Sequence, residues 1–308
     1  MLYDLIILGG GPAGAAGAVY AARKRLKTLL IAQTFGGQST DSFGIKNWIG
    51  TKEIAGADLA IALREHVMEY KGEFLDVAEG ERVTKLEQKG PFHFMVTTES
   101  GKSYESKTVL ITTGSGRRKL PAKNAELFEH KGLTYCASCD GPIFADQDVA
   151  VIGGGNAALE TPAQLLAYCK SVTLLHRSDT FKADKITVDA VLANPKMKAL
   201  TGVEILEVTG DKFANGIIYK TKEGTTETLP VTGIFVEIGQ IPNTGFAEGL
   251  VTLDANKKIV TDPMTQKTSV LGIWAAGDAT NGLYHQNNIA AGDAVKALEN
   301  LYLELKTK

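Results

Sequence analysis

A short apolar run, a triple glycine, a helical stretch and a second apolar run occur twice in this chain of 308 residues, at 4–32 and again at 149–175. Chance does not readily repeat a whole supersecondary pattern, and a strand leading through GxGxxG into a helix is the arrangement that seats a pyrophosphate on a helix N-terminus. The length suits two domains better than one core. The sequence therefore predicts an α/β protein with two dinucleotide-binding, Rossmann-like domains.

In chain order, the run at 4–8 reads as a strand that ends in Gly9-Gly10-Gly11-Pro12-Ala13-Gly14, and the alanine-rich stretch at 15–24 reads as a helix. Gly9, Gly11 and Gly14 hold the GxGxxG spacing, so Gly9, Gly11, Pro12, Ala13 and Gly14 are candidates to cradle a phosphate. A strand at 28–32 follows at βαβ distance. The acid expected at its end to hold a ribose is absent; Gln33 and Thr34 stand there instead. Gly36, Gly37 and Gln38 form either an ordinary turn or a second contact to a ring edge or phosphate. Leu59, Leu63 and Val67 recur every four residues, which predicts an amphipathic packing helix over 57–70. Alternation at 92–97, a turn at Ser100-Gly101 and an apolar run at 109–113 read as a hairpin followed by a buried strand. Arg117-Arg118-Lys119 reads as a solvated linker at a domain boundary.

Next comes Cys136-Ala137-Ser138-Cys139-Asp140-Gly141. Two cysteines separated by two residues close a small disulfide that its surroundings tune for oxidation and reduction, and the carboxylate of Asp140 stands ready to supply a proton to the sulfurs. Zinc is the competing use of CxxC. It needs four ligands, whereas Cys169 is the only other cysteine and His66, His93, His130, His176 and His285 form no ligand pattern with the pair, so no metal is expected. Cys169 reads as a small buried apolar residue.

The second copy of the opening pattern runs from a strand at 149–152 through Gly153-Gly154-Gly155-Asn156-Ala157-Ala158 into a helix extending to 169 and a strand at 172–175. Gly153, Gly155, Asn156, Ala157 and Ala158 are the candidates for a second nucleotide. Beyond that strand stand Arg177 and Lys182, where cations suit the 2′-phosphate of NADPH and an acid would suit NADH. Short strands between 203 and 236 complete the second domain, and 239–243 reads as a return linker. An apolar strand then ends in Gly277-Asp278, where the carboxylate is placed either to bind a ribityl or ribose hydroxyl or to cap a helix. A helix over 290–301 closes the chain.

Lys and Arg total 33 against 35 for Asp and Glu, so neither nucleic acid nor an anionic membrane surface is an expected partner. No apolar run reaches the 18 or so residues of a spanning helix, and the N-terminus lacks a basic start; a cytoplasmic protein is expected. Three cysteines are too few for a disulfide scaffold, and in a reducing cytosol a CxxC is more often catalytic.

With these pieces placed, the chain resembles the low-molecular-weight thioredoxin reductases, FAD-dependent pyridine nucleotide disulfide oxidoreductases, and nearly as well the flavoprotein core of the alkyl hydroperoxide reductases. The resemblance rests on 9–14, 36–38, Asn47-Trp48-Ile49-Gly50, 136–141, 153–158, His176-Arg177, Pro242-Asn243-Thr244 and Gly277-Asp278, all in family order. It implies three-layer ββα domains, with FAD held by 1–116 and 242–308 and an inserted NAD(P)H and disulfide domain at 117–241. It also implies a homodimer whose domains rotate so that the disulfide faces first the flavin and then a thioredoxin-like protein substrate. On this resemblance Cys139 takes electrons from the flavin, Cys136 attacks the partner, Asp140 donates the proton, and Asn47 and Gln286 belong to the flavin site. Ser178 and Lys182 stand where the family usually has arginines, and Pro162 interrupts the helix after the second glycine turn. NADPH is thus the expected donor and NADH its competitor. The alternatives are an NADH-dependent reductase of a peroxiredoxin-type or glutaredoxin-like protein, served by a separate CxxC carrier; a relative fed by ferredoxin or a deazaflavin; and, in another class, a flavin redox sensor without turnover.

Overall fold

A computed structural model of the chain describes residues 1–42 and 44–306. It divides into two compact units, Met1–Gly116 with Ile241–Lys308, and Arg117–Gln240. The first begins with strand β1 (Leu2–Gly10), helix α1 (Pro12–Arg23), β2 (Thr28–Phe35), α2 (Gly56–Glu69), β3 (Leu75–Glu79), β4 (Val83–Gly90), β5 (His93–Thr98) and β6 (Ser103–Ile111). A short strand β7 (Ser115–Arg117) leads out. The second unit contains β8 (Leu133–Thr134), α3 (Ala137–Asp140), β9 (Asp148–Gly153), α4 (Asn156–Leu165), β10 (Ser171–His176), α5 (Lys185–Leu192), β11 (Met197–Thr201), β12 (Glu204–Gly210), β13 (Ala214–Lys220), β14 (Thr226–Pro230) and β15 (Gly233–Glu237). The chain returns through β16 (Gln240–Pro242), which pairs with β7, and ends in β17 (Ile273–Ala275) and α6 (Asn287–Lys306).

In the first unit the sheet order is β3-β2-β1-β6-β5-β4, with β17 also on β6. The strands around β1 are parallel and buried on both faces, which explains why they read as continuous apolar runs. Leu5 and Ile7 of β1 pack with α1 and α6, while Ile6 and Leu8 face the opposite way, toward Leu86 of β4, Phe94 of β5 and Ile259. In α2, Leu59 and Val67 are buried as their spacing predicts.

The second unit repeats the plan with an all-parallel sheet ordered β11-β10-β9-β15-β8. Val149 and Val151 of β9 pack with α4, and Ala150 and Ile152 pack toward the antiparallel meander β12-β13-β14. This is the expected α/β class with two Rossmann-like domains.

Three local expectations need correction. The hairpin strand and the buried strand are a single strand, β6, whose first residues pair antiparallel with β5 while 109–111 lie between β1 and β17. Its burial changes midway from alternating to continuous, so its two halves look like different elements. The helix expected to reach residue 169 stops at Leu165, and Pro162 inside it removes the donor that would meet the Ala158 carbonyl. The last helix begins at Asn287 rather than 290 and reaches Lys306.

Trp274 of β17 is fully buried and its indole Nε1 donates to Asn300 Oδ1 of α6 at 3.1 Å, tying the sheet to the last helix. Trp274→Ala removes both the packing and that bond. It is expected to cost about 3–5 kcal/mol and to lower the urea midpoint of the first unit's unfolding transition.

Candidate active site

The first glycine turn is built by close approach. Gly9 has φ +112°, and a Cβ there would lie 2.4 Å from the carbonyl oxygen of Thr112; a Cβ on Gly14 would lie 1.8 Å from the Gly9 carbonyl oxygen. Only glycine lets α1 pack this near the end of β1. At Gly11 nothing lies within 4 Å of a Cβ position, and Pro12 occupies the first helical turn, where its missing N–H costs nothing. No side chain caps α1, so its first N–H groups stay open to an anion. Ala13 is buried behind them.

Other predicted residues of this unit gather around two short networks. Gly36 (φ +86°) and Gly37 (φ +58°) carry the chain out of β2, and the amide of Gln38 donates to Ser115 O and, at 3.2 Å, to Ser115 Oγ. Asn47 Nδ2 donates to Gln286 Oε1 at 3.0 Å, and Asn288 Nδ2 donates to the Asn47 carbonyl at 2.6 Å, so two predicted flavin-site residues meet at the start of α6. Gly277 has φ +74°, and its Cβ position lies 3.2 Å from Ala290 and 3.5 Å from Ala13, between α6 and α1. Beside it Asp278 Oδ1 faces His285 Nδ1 at 3.5 Å, and His285 Nε2 lies 2.7 Å from Lys258 Nζ. An ammonium only donates, so Nε2 accepts and the ring proton sits on Nδ1, toward Asp278. Lys258 was not legible in advance, since it belongs to no motif.

The second glycine turn copies the first. Gly153 (φ +155°) would bring a Cβ within 2.3 Å of the Glu237 carbonyl oxygen and 2.6 Å of Ala158 Cβ, and Gly155 is open. Asn156 Oδ1 accepts from the Asp184 N–H at 2.9 Å, and the Lys182 N–H donates to the Gly154 carbonyl at 2.7 Å, so the loop after β10 is folded back onto the turn. Ala157 is exposed in the same first turn of α4. His176 serves the fold: its ring fills the space where a Gly154 Cβ would stand, stacks on Phe181 at 5.3 Å and lies 3.1 Å from the Thr180 carbonyl oxygen. Arg177 and Lys182 are exposed, and neither side chain makes a hydrogen bond or ion pair with the described residues.

In the same unit Cys136 and Cys139 form a disulfide with Cα atoms 5.3 Å apart. Cys136 precedes the single turn α3, and its Sγ accepts from the Cys139 N–H at 3.2 Å. Asp140 Oδ2 accepts from the Thr134 hydroxyl, whose oxygen in turn accepts from the Cys136 N–H at 3.3 Å. Thr134 thus connects the acid to the first cysteine, a link no spacing rule announces. Cys139 is exposed; Cys136 and Asp140 are partly buried. Burial pushes the Cys169 thiol up to about 11, so the third cysteine stays protonated and inert. Among the described residues no cluster of His, Cys, Asp or Glu could hold a metal ion, and no helix is long and apolar enough to cross a membrane.

The profile of the pyridine nucleotide-disulphide oxidoreductase family matches residues 3–294. The chain belongs to this family. Family membership implies a flavin and a pyridine nucleotide, and the two glycine turns, with their uncapped helices and the close approaches that only small residues permit, fit two such groups. An NADH dehydrogenase of Bacillus subtilis is 38% identical over 296 residues, covering 96% of this chain and 57% of that protein. The F-type component of the alkyl hydroperoxide reductase of Xanthomonas campestris pv. phaseoli is 37% identical over 297 residues, covering 96% of this chain and 56% of that one. The chain therefore spans a little over half the length of these curated relatives. Among solved structures, a thioredoxin reductase from Streptococcus pyogenes superposes with a TM-score of 0.91 at 34% identity, covering 100% of this chain and 99% of that one.

Gly14→Ala places a methyl group against the Gly9 carbonyl and must push α1 away from β1. The purified variant is expected to retain little flavin, read as the ratio of flavin to protein absorbance, and retention at the unaltered level would contradict a phosphate seat at this turn.

Proposed function

We propose that the chain is a thioredoxin reductase, taking electrons from NADPH and delivering them to the disulfide of a thioredoxin-like protein. The observation that carries this is the closed Cys136–Cys139 disulfide with Asp140 held beside it through Thr134. The flavin and the nicotinamide, when bound, supply hydride chemistry, which moves electrons in pairs as disulfide chemistry requires. Residues 9–14, Gly36, Gly37, Gln38, Asn47, Gly277, Asp278 and Gln286 would hold FAD, and 153–158 with Arg177 and Lys182 would hold the nicotinamide nucleotide. The domains would run 1–116 and 242–308 for the flavin, and 117–241 for the nucleotide and dithiol.

The chain's own chemistry is the dithiol. Two electrons and two protons open the disulfide. The Cys136 thiol gives its proton to Asp140 and attacks one sulfur of the partner's disulfide, and the partner thiolate released takes that proton back from Asp140; Cys139 then attacks the Cys136 sulfur, closing the original disulfide, and its proton goes to the second partner sulfur, which leaves as a thiol. The N–H of Cys139 that points at Cys136 Sγ favours the thiolate on that sulfur. Arg177 and Lys182 support NADPH, since a 2′-phosphate would find two cations that no described carboxylate pairs. Resemblance to the family further supports a cytoplasmic homodimer.

A second reading is an NADH-dependent reductase of a peroxiredoxin-type system. It is favoured by Ser178 and Lys182, which stand where two arginines are usual, and by the names of the curated relatives.

Anaerobic titration of the purified yellow protein with each nucleotide separates the two. NADPH is expected to bleach the flavin at lower concentration than NADH, and the reverse order would select the second reading. Arg177→Ala is expected to weaken NADPH by about tenfold to a hundredfold, the worth of one charge-assisted hydrogen bond, and to leave NADH unchanged.

Cys139→Ser should keep flavin and nucleotide reduction, abolish turnover with a protein disulfide, and trap a mixed disulfide through Cys136. Retained turnover would sink the assignment, and trapping only in Cys136→Ser would exchange the two cysteine roles.

A further inference from the structure

The two glycine turns invite a position-by-position comparison, because Gly9 and Gly153 occupy the same place in the duplicated pattern. In the first unit the residue beside Gly9 on the neighbouring strand is Thr112, whose Oγ1 donates to the Leu8 carbonyl at 2.8 Å and so closes the turn. In the second unit Glu237, at the end of β15, pairs with Gly153 of β9. Two further positions change with it: Ala16 and Gly17 of α1 correspond to Glu160 and Thr161 of α4. The fold evidently needs no acid at these places, since the first unit builds the same turn without one.

Glu237 Oε1 accepts from Thr161 Oγ1 at 3.0 Å, and no donor among the described residues meets Oε2. Burial pushes this carboxyl up to about 7, against the opposing influences of Arg117 and of the Thr161 hydrogen bond, and Glu160 adds a further upward push. The charged and titratable groups that bear on it are therefore Arg117 from β7 and Glu160 from α4.

Its place in the sheet says what it would meet. The order β10-β9-β15 puts the topological switch point between β9 and β15, and ligands of open α/β sheets bind outside the carboxyl ends of the strands at that crevice. The phosphate-seeking cations Arg177 and Lys182 follow β10, and the pyrophosphate seat lies at Gly155 and Asn156 after β9. A dinucleotide laid with its adenosine end at β10 carries its other end across β9 to β15, where Glu237 stands.

We propose that Glu237 is a specificity-determining residue that reads the oxidation state of the nicotinamide ring, binding the cationic oxidised ring more tightly than the neutral reduced one. This rests on the second glycine turn being a nicotinamide nucleotide site. A carboxylate near the ring attracts the cation and has no charge to attract in the reduced form; the protonated acid distinguishes neither. Product affinity then rises as Glu237 ionises.

The test is equilibrium dialysis of the flavin-loaded protein with NADP+ and with its tetrahydro analogue, which has a neutral ring and cannot give up a hydride. Both probes carry the same phosphates, so phosphate titration cancels in the ratio of their dissociation constants; NAD+ and its tetrahydro form serve if they bind more tightly. The preference for the cationic ring is expected to grow about tenfold between pH 6 and pH 8, following ionisation of a group near 7. E237Q should flatten that ratio at its low-pH value while both probes still bind. Thr161→Val removes the hydrogen bond to the carboxylate and should shift the rise to higher pH. A pH slope unchanged in E237Q, or no slope in the unaltered protein, overturns the role of Glu237 and leaves the nucleotide site standing. Failure of the unaltered protein to bind any of the probes overturns the nucleotide site itself and this inference with it.

Discussion

Everything at both nucleotide-type turns depends on one steric constraint, the close approach of a helix to the end of its strand. In the first unit the Cβ position of Gly14 falls 1.8 Å from the Gly9 carbonyl oxygen, so any side chain there would drive α1 from the sheet. The second unit meets the constraint less severely, with Ala158 accepted because Gly153 yields the space instead; a Cβ on Gly153 would lie 2.6 Å from that of Ala158. The same geometry leaves Gly11 and Gly155 facing open space at uncapped helix starts. Packing and anion binding are two consequences of one backbone arrangement.

This is why so much of the fold could be read from the amino-acid sequence. Steric constraints that only glycine satisfies leave a periodic mark, and strands buried on both faces leave continuous apolar runs. What escaped has physical reasons too. β4 has a mostly exposed pattern with only Leu86 buried, and α5 buries only Val191, so neither carries a strong apolar period. β6 changes from a hairpin edge to a central strand partway along, so its pattern changes within one element.

The candidate site divides along the same line. The turns and the CxxC announce themselves by spacing, whereas Thr134, Thr161, Glu237 and Lys258 stand singly, at strand ends, within α4 or in a loop, and single polar residues have no period to betray them. His176 shows the opposite error that spacing invites. It stands in a run that resembles a phosphate-binding signature, yet its ring is buried over Gly154 and its partners are Phe181 and the Thr180 carbonyl. The charge that could meet a phosphate is left to Arg177 and Lys182.

The dithiol segment packs on the far end of the helix that starts at the second glycine turn, α4. The helix ends at Leu165, and the turn that follows is held by Leu166 N–H to the Pro162 carbonyl at 2.9 Å and Cys169 N–H to the Leu165 carbonyl at 2.8 Å. That turn presents Tyr168, whose hydroxyl oxygen lies 2.2 Å from the Cβ position of Gly141, two residues after Cys139. Any other residue at 141 would collide with the tyrosine. Ser138, between the two cysteines, reaches the same helix through Gln164 at 3.2 Å. The turn after Leu165 therefore lies against the redox segment, and α4 ties the second glycine turn at one end to the disulfide at the other.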